Sequence, residues 1–408
     1  MKKLLVVANP YPPMASAGTN RIVRFLRHLP DEGWEPSVLT ARAEGPADEP
    51  AGVRVARAAV PWPGRLLGGG RRSNAVNRWI AVPDPYFAWI VPAVLKGRKI
   101  FERERFDALM SSSPRASAHV AAAVLSEHAG IPWLADYRDP WSTYQFRRFP
   151  TRFHKSAHEK LEEWTLRRAA AVTAINQPIA GDLVTRHPWL QGRAHVLPNG
   201  FDRAEQPAGV ALGDGFWIVN TGRLYGREQQ VAAFLEALAA QPADVKALFV
   251  GVDESRVRPD ADRLGLGDRV RVEPLVPLPV ALGYQRAADA LLLVNGRTPE
   301  SMSSKVFEYL QSGRPVFAIS PEGSAARTLF AEVGGGTCVL PDVPMAAPLA
   351  AFVGAARTGA APVADPEALE RYEFGRLTHR LAGILDEVAG SSWIADPDDR
   401  DPEPGATP

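Results

Sequence analysis

Short continuous apolar runs alternate along the chain with stretches whose apolar residues recur at helical spacing. The first run, Leu4 to Ala8, has the length and composition of a strand covered on both faces. A loop rich in proline, glycine and serine follows, and apolar residues from Ile22 to Leu29 then mark one face of a helix. The same pattern predicts a helix at residues 118–126 and strands at residues 34–40, 53–56, 108–111, 133–136 and 171–175.

The alternation stops at residues 198–216, which hold four glycines, two prolines and no clear periodicity, and then it restarts. Strands are predicted at residues 217–221, 246–250, 270–272, 290–294 and 315–319, and helices at 229–239 and 305–311. Strand–helix alternation is typical of a parallel sheet with helices on both faces. The sequence therefore predicts an α/β fold: two doubly wound, Rossmann-like domains facing each other across a cleft.

The composition shifts suggest where these domains begin and end. We expect an N-terminal domain over residues 1–205 and a C-terminal domain over 206–372. Residues 373–390 are expected to form a helix that returns to the N-terminal domain. Residues 391–408 are acidic, rich in proline and without core residues, which is typical of a disordered tail.

Charge and cysteine content narrow the function. The 408 residues carry a formal net charge of +1, so we expect no nucleic-acid partner. One cysteine, Cys338, fits a reducing compartment and thus a cytoplasmic location. The apolar run at the N-terminus is too short for a signal peptide. The longest apolar candidate for a membrane span, near Tyr86 to Leu95, is broken by Pro92.

The strongest chemical signal is a serine-rich loop that leads from a predicted strand into the helix at 305–311. Backbone N–H groups at a helix start favour an anion, and a lysine there adds charge. Glu308, one turn into the helix, could accept hydrogen bonds from ribose hydroxyls, and Glu300 on the loop could face a sugar. The predicted diphosphate site comprises Ser303, Ser304, Lys305 and Val306. Taken alone, the pattern fits an ordinary strand–loop–helix with two solvated glutamates equally well.

A second loop, NTGRLYGRE at residues 220–228, carries Arg223 and Arg227 between glycines. Arginine forks suit phosphate oxygens, and Gly222 and Gly226 would permit close approach. A surface turn with solvated arginines is the alternative. It becomes less favoured if this loop and Lys305 lie at strand ends of one sheet.

These residues carry a resemblance to a known family. Glu300 and Glu308 match an E-x7-E signature, and Arg223 with Arg227 match a G-R-x(n)-[KR] loop. In this combination the chain resembles GT-B glycosyltransferases of the retaining family 4 group over nearly its whole length. The segment SSSPRASAH…GIPWLADYRDPW resembles a bacterial subgroup that assembles surface polysaccharides or decorates secondary metabolites.

The resemblance implies transfer of a sugar from a nucleotide diphosphate sugar to a glycan, lipid-linked or small-molecule acceptor. It implies retention of configuration, with no metal and no cofactor. Arg223, Arg227 and Lys305 would stabilise the leaving diphosphate. The catalytic candidates are Glu300, Arg223, Lys305 and Asp139. Gly18 would lie against the donor diphosphate and the acceptor, although a plain turn glycine is an alternative.

The acceptor side is less well defined. Asp136, Tyr137, Arg138 and Asp139 follow a predicted strand end and are expected to face the cleft. Arg138 and Asp139 could pair with each other, or Asp139 could bind hydroxyls of the acceptor or sugar. His119 is a candidate acceptor-side residue, although a core or surface histidine fits its position at least as well.

Two segments, residues 62–99 and 144–160, mix arginine and lysine with aromatic residues. They fit peripheral contact with an anionic membrane at its inner face, or structure of the acceptor-binding domain.

Three other classes compete with a transferase: a nucleotide-sugar 2-epimerase-like isomerase, a dinucleotide-dependent oxidoreductase and a non-catalytic nucleotide-sugar-binding protein. The loop after the first strand lacks G-x-G-x-x-G, which disfavours the oxidoreductase.

Overall fold

A computed structural model describes residues 1–14, 16–45, 49–61, 79–144, 147–224, 227–296 and 302–391. Its contacts divide the chain into two compact units. The N-terminal unit comprises Met1–Pro198 together with the residues from Leu377 onwards. The C-terminal unit comprises Asn199–Arg376.

The N-terminal unit is built on a seven-stranded parallel sheet in the order β3-β2-β1-β4-β5-β6-β7. Its core lies between the sheet and the helices, where Trp89 and Trp133 are fully buried. In chain order the elements are β1 (Lys2–Ala8), α1 (Ala17–His28), β2 (Trp34–Ala41), β3 (Arg54–Ala58), α2 (Ile90–Phe101), β4 (Ala108–Ser112), α3 (Ala116–Ala129), β5 (Trp133–Tyr137), α4 (Arg152–Leu166), β6 (Ala171–Ala174), α5 (Gln177–Arg186) and β7 (Ala194–Val196).

The C-terminal unit holds a six-stranded parallel sheet in the order β10-β9-β8-β11-β12-β13. The last helix, α13, begins in this unit, and its residues from Leu377 onwards belong to the N-terminal unit. The elements are β8 (Phe216–Thr221), α6 (Glu228–Ala239), β9 (Val245–Val250), α7 (Arg258–Arg263), β10 (Val270–Glu273), α8 (Leu278–Ala287), β11 (Ala290–Val294), α9 (Lys305–Gln311), β12 (Val316–Ile319), α10 (Ala325–Val333), β13 (Gly336–Val339), α11 (Ala346–Arg357), α12 (Pro366–Leu369) and α13 (Phe374–Gly390).

Two parallel sheets covered by helices confirm the predicted α/β fold with two doubly wound domains. In each unit the first strand lies inside the sheet, and the order reverses beside it, between β1 and β4 and between β8 and β11. Loops at the carboxyl ends of strands flanking such a reversal are the usual place for a ligand in open α/β sheets. The loops after β8 and β11 include the two segments that the sequence marks as basic.

The apolar residues of helix α2 do not follow a clear helical spacing in the sequence. Val91 and Leu95 are exposed apolar residues one turn apart, so apolar side chains occur on both faces of this helix. Gly97 allows α2 to pack tightly on α3, because a methyl group there would lie 2.6 Å from a side-chain carbon of Leu125. Among the helices in the described parts of the chain, none is both long enough and apolar enough to span a bilayer.

Several helices begin after a residue whose side chain caps the helix N-terminus. Ser16, Thr151, Asn176 and Ser324 each accept a hydrogen bond from a backbone N–H three residues onward. Such a cap satisfies one of the N–H groups that a helix leaves unpaired, typically contributing about 1 kcal/mol. The tail predicted at residues 391–408 lies almost wholly outside the described residues, which end at Ser391.

Candidate functional site

Lys305 is the best-defined cationic group at the strand reversal of the C-terminal unit. It is the first residue of α9, and its Nζ donates a 2.6 Å hydrogen bond to the carbonyl oxygen of Thr221, the last residue of β8. Only 9% of Lys305 is exposed. The sequence prediction that the 220–228 loop and Lys305 come together at one sheet edge therefore agrees with this geometry.

Tyr309 fixes the strand end that Lys305 contacts. It lies one turn after Lys305 on the same face of α9, and its hydroxyl accepts a 2.7 Å hydrogen bond from the backbone N–H of Thr221. Gln285 donates to the Thr221 hydroxyl at 3.0 Å. Thr221 is thus held at its N–H, carbonyl and hydroxyl groups, which gives the lysine a rigid acceptor.

Two glycines lie in the turns at the same edge of the C-terminal sheet. Gly222 follows β8 with φ +84° and Gly251 follows β9 with φ +81°, in the left-handed region that favours glycine. A methyl group on Gly251 would lie 3.4 Å from the Cα of Gly222, so the two turns pack directly against each other. A methyl group on Gly222 would lie 3.9 Å from the Nζ of Lys305. Because glycine has no side chain, Gly222 does not cover the ammonium group of Lys305.

The electrostatics of Lys305 are unusual for a lysine. Burial, followed by the nearby charge of Arg227, lowers its pKa from 10.5 to about 7, and Glu308 acts in the opposite direction. A buried cation is costly to charge, so an anion bound beside it would be stabilising. This arrangement can bind a phosphate or diphosphate group.

The other donor-side candidates are buried to different degrees. Arg223 is exposed and directly follows Gly222, whereas Arg227 is half-buried at the start of α6. Glu308 is half-buried in the first turn of α9 and lines a narrow crevice with Glu205 and Gln285.

One expectation for the α9 start is wrong. Val306 does not present a free N–H, because that group donates to the carbonyl oxygen of Ser303 at 3.1 Å. Ser303 and Ser304 lie half-buried just before the helix, and in the described residues the Ser304 side chain makes no capping bond. The helix has only seven residues, so its dipole is a weaker anion-binding feature than the lysine charge.

Two predicted residues lie outside the described parts of the chain. Glu300, the proposed sugar-facing carboxylate, falls in the gap between residues 296 and 302, and Gly226 in the gap between 224 and 227. Their roles stay predictions.

In the N-terminal unit, Asp136 and Tyr137 do not face a cleft as expected. Both are the final residues of β5 and are completely buried. Arg21 of α1 forms a two-pronged ion pair with Asp136, at 2.8 and 3.0 Å. Burial alone would raise the pKa of Asp136, but the charge of Arg21 and its hydrogen bond, with hydroxyls of Ser112 and Thr173, hold the pKa below its usual value. Asp136 therefore joins α1 to three strands as a structural residue.

Arg138 and Asp139 emerge half-buried after β5 and form the ion pair that the sequence left open, with 3.3 Å between nitrogen and oxygen. The Ser113 hydroxyl accepts hydrogen bonds from both backbone N–H groups. Gly18, in the first turn of α1, packs against this turn. A methyl group there would lie 2.9 Å from Nη1 of Arg138 and 3.0 Å from Cδ of Pro114. Packing within the unit thus explains why glycine occupies position 18.

His119 proves to be a core histidine, which corrects its assignment to the acceptor side. It is 1% exposed, stacks on Tyr137 with ring centres 4.8 Å apart, and pairs with Ser111 at 2.7 Å. Burial lowers its pKa to about 4, so the ring is neutral at physiological pH. Trp133 donates a 2.9 Å hydrogen bond to the same Ser111 hydroxyl, so Ser111 joins the two rings in the core.

Several further residues at these edges belong to no recognised motif. Two sequence signals could identify Thr221, Tyr309 and Gly251. One is a second strand that is followed by glycine, and the other is an aromatic residue four positions after Lys305. Asn9, directly after β1, is 1% exposed, and neither side-chain amide atom has a hydrogen-bond partner within the described residues. No sequence pattern marks it, because only the folded structure shows its burial.

Comparisons with known proteins agree with this architecture. Residues 17–200 match the family model described as a glycosyl transferase 4-like domain. That match begins at the start of α1 and covers the N-terminal unit as far as β7, without β1 and the residues from Leu377 onwards. No curated protein matches the sequence.

Solved structures resemble the chain over 95% of its length. Sucrose-phosphate synthase from Thermosynechococcus elongatus is 16% identical, is covered over 96% of its own chain and gives a TM-score of 0.63. HepE from Anabaena, solved with UDP, is 16% identical, with 98% coverage and a TM-score of 0.61. The α,α-trehalose 6-phosphate synthase from Burkholderia multivorans is 15% identical, with 97% coverage and a TM-score of 0.64.

At these identities the likeness shows the fold alone, which is that of GT-B glycosyltransferases. The family model and the fold together support a GT-B glycosyltransferase. They give no support to the nucleotide-sugar 2-epimerase-like alternative.

Proposed function

We propose that this protein transfers a sugar from a nucleotide diphosphate sugar to an acceptor. The observation that carries the proposal is Lys305, a buried cation held at the strand reversal of the C-terminal unit next to a second cation. Its low pKa is the expected state of a lysine that awaits an anion. The match of residues 17–200, in the N-terminal unit, to a glycosyl transferase 4-like domain supports the diphosphate of a sugar donor as that anion.

The proposed chemistry follows from where charge develops. When the bond between sugar and diphosphate breaks, negative charge grows on the leaving oxygen, and Lys305 with Arg223 and Arg227 would stabilise it. In this scheme, which requires no metal or cofactor, Glu308 orients the donor, and Glu300 and Asp139 contact sugar or acceptor hydroxyls. Retention of configuration, membership of the retaining family 4 group and a hexosyl donor are parts of this proposal.

The acceptor is proposed only by class. A glycan, a lipid-linked sugar or a small metabolite would each bring hydroxyl groups to the half-buried pair of Arg138 and Asp139. A role in bacterial polysaccharide synthesis and a cytoplasmic location complete the proposal.

Thermal unfolding in the presence of nucleotides tests the donor site. UDP is the first probe, because the similar HepE structure contains UDP, and GDP and ADP follow. A nucleotide at 100 times its Kd should add about 2.7 kcal/mol to the unfolding free energy. The shift should be the same with magnesium or with EDTA. If no nucleotide diphosphate shifts the transition in either condition, the proposal fails.

We also propose that the N-terminal unit contacts an anionic membrane surface. Trp79 and Phe153 are 57% and 77% exposed, and both rings pack edge-on against His154. Exposed Arg152 and Lys155 flank Phe153 on α4. Exposed aromatic rings beside cations suit the interface of an anionic bilayer.

Flotation with phosphatidylglycerol vesicles tests this contact. The protein should float at low salt and remain behind with phosphatidylcholine vesicles, and a Trp79→Ser, Phe153→Ser variant should lose flotation. Leu275→Ser is the matched control, because Leu275 is an equally exposed apolar residue in the C-terminal unit. Equal flotation of all three proteins would contradict a specific contact.

A further inference from the structure

A buried charged pair lies behind the loop that follows β5 in the N-terminal unit. The side chain of Glu162, on α4, has no exposed surface, and Nη1 of Arg186, the last residue of α5, lies 2.9 Å from its Oε2 atom. Its other oxygen, Oε1, has no hydrogen-bond partner within the described residues. Burial raises the pKa of Glu162, whereas Arg186 and a hydrogen bond from Ser142 act in the opposite direction. A buried ion pair is often no more stabilising than apolar side chains of similar volume, so stability alone does not account for this one.

The pair is bonded to the loop after β5. Three consecutive residues of this loop each donate one side-chain hydrogen bond to α4 or α5: Trp141 to His158 at 3.1 Å, Ser142 to Glu162, and Thr143 to Asp182 at 3.0 Å. Arg186 binds both of the accepting carboxylates, each at 2.9 Å. One arginine therefore links the two carboxylates that hold this part of the loop.

The first part of the same loop carries the pair of Arg138 and Asp139. Their backbone N–H groups donate to the hydroxyl of Ser113 at 2.7 and 3.1 Å, so the loop is held at both ends. Pro140 fixes its own φ and favours an extended conformation of Asp139. Ser142 follows Asp139 by three residues, at most about 11 Å of chain. A displacement of Ser142 is therefore transmitted to the Asp139 carboxylate.

We propose that Glu162 and Arg186 are positioning residues of the transfer reaction. Their bonds to the loop hold the Asp139 carboxylate where an acceptor hydroxyl contacts it. A charged carboxylate suits this task because it accepts shorter and stronger hydrogen bonds than a neutral group does. The inference rests on the proposed function, in which Asp139 meets hydroxyl groups, and it commits Asp139 to the acceptor.

Two variants remove the link between the pair and the loop in different ways. Ser142→Ala deletes the donating hydroxyl and leaves the ion pair in place. Glu162→Met with Arg186→Met replaces both charged side chains by apolar ones, which is often neutral or stabilising for a buried pair. This double variant should unfold at a urea concentration no lower than that of the wild type. A purely structural role for the pair would then predict normal activity.

Hydrogen exchange of the backbone amides measures the loop directly, without any ligand. In the full-length protein, exchange of residues 138–143 should become at least about tenfold faster in both variants, because the loop loses a bond that restricts its opening. Exchange in β5 should not change.

Kinetics with UDP-glucose separate positioning from stability. With water as acceptor, the bond between glucose and diphosphate breaks, a bond to the water oxygen forms, and glucose, UDP and a proton are released. With octyl β-glucoside, its hydroxyl takes the place of water. Both variants should lower kcat/KM for octyl β-glucoside about 10- to 100-fold, since a displacement of about 1 Å has effects of this size. Hydrolysis and the Kd for UDP should stay within about twofold of the wild type, because water needs no positioning by Asp139.

Glu163→Gln is the matched control. Glu163 is the neighbour of Glu162 on α4 and pairs with Arg167 at 3.0 Å, next to the end of the same helix. This variant should leave exchange of the loop and transfer unchanged. The triple variant of Ser142, Glu162 and Arg186 should be no worse than the double variant, because all three substitutions act through one bond.

Unchanged exchange of residues 138–143 in both variants overturns the inference. An equal fall of transfer and hydrolysis also overturns it, because that result indicates loss of active protein rather than a displaced carboxylate. If UDP binds and the variants transfer glucose as well as the wild type does, the inference fails and the proposed function stands. If the wild type binds no nucleotide diphosphate, the proposed function fails and the inference fails with it.

Discussion

Replacement of Lys305 by methionine should separate stability from donor binding. A fall of the lysine pKa from 10.5 to about 7 corresponds to roughly 4 kcal/mol of lost stability at neutral pH, at about 1.4 kcal/mol per unit. Methionine has a similar length and no charge, so this cost disappears. Loss of the 2.6 Å hydrogen bond leaves the Thr221 carbonyl with only a 3.5 Å bond from the Tyr309 hydroxyl, which offsets about 1–3 kcal/mol of the gain. We therefore expect the ligand-free variant to be more stable by about 1–3 kcal/mol.

The pH dependence provides an internal check on this reasoning. In the unfolded chain Lys305 keeps its proton up to about pH 10.5, whereas in the folded protein it loses the proton near pH 7. The unfolded state thus binds more protons between these values, and stability should rise with pH across this window. Lys305→Met should remove that rise.

Whereas the ligand-free Lys305→Met variant should be more stable than the wild type, its affinity for the donor should be lower. The variant loses one charge-assisted hydrogen bond to the diphosphate, so the Kd for UDP should increase about 10- to 100-fold. In the wild type, affinity should fall as the pH rises above about 7, because the free lysine becomes neutral.

Urea unfolding with and without UDP, repeated from pH 6 to 10, measures all of these effects. Lys246→Met is the matched control, because Lys246 also donates to a single backbone carbonyl, that of Asp214 at 2.8 Å, and is half-buried. It should leave the UDP effect unchanged. A Lys305→Met protein that is less stable than the wild type and still gains stability from UDP would refute the assignment of Lys305 to the donor site.

The remaining predictions concern both units. Glu308→Gln should weaken UDP at least about threefold in calorimetry if the carboxylate accepts ribose hydrogen bonds, and unchanged affinity would exclude that role. Asp136→Asn should lower the unfolding free energy by about 3–5 kcal/mol, measured by urea unfolding, because it breaks a buried ion pair; a loss below 1 kcal/mol would contradict this. Gly18→Ala should cost about 1–3 kcal/mol, since the added methyl group would lie 2.9 Å from Arg138; a neutral effect would mean that the turn yields easily. Because the pKa of His119 is lowered to about 4, stability should fall as the pH drops from 6.5 to 4, and His119→Asn should reduce that slope.

The sequence by itself determined the fold class and most of the sheet. Continuous apolar runs predicted strands such as Leu4 to Ala8 because strands buried on both faces need apolar residues at every position. The same pattern failed for α2, where exposed Val91 and Leu95 blur the helical period, and for α11, whose alanine-rich sequence gives little contrast between faces. The strand β7 has three half-buried residues, too few to produce a pattern.

At the candidate site, residue type and spacing were enough to single out Lys305, Arg227 and Glu308, because cations at a strand–loop–helix junction follow a local rule. Only the tertiary structure decided what surrounds each side chain. It buried Asp136 and His119 in the core and bonded Lys305 to Thr221. Burial and partners come from residues far apart in the chain, and these set the pKa and the accessibility of a side chain, so local sequence patterns do not contain them.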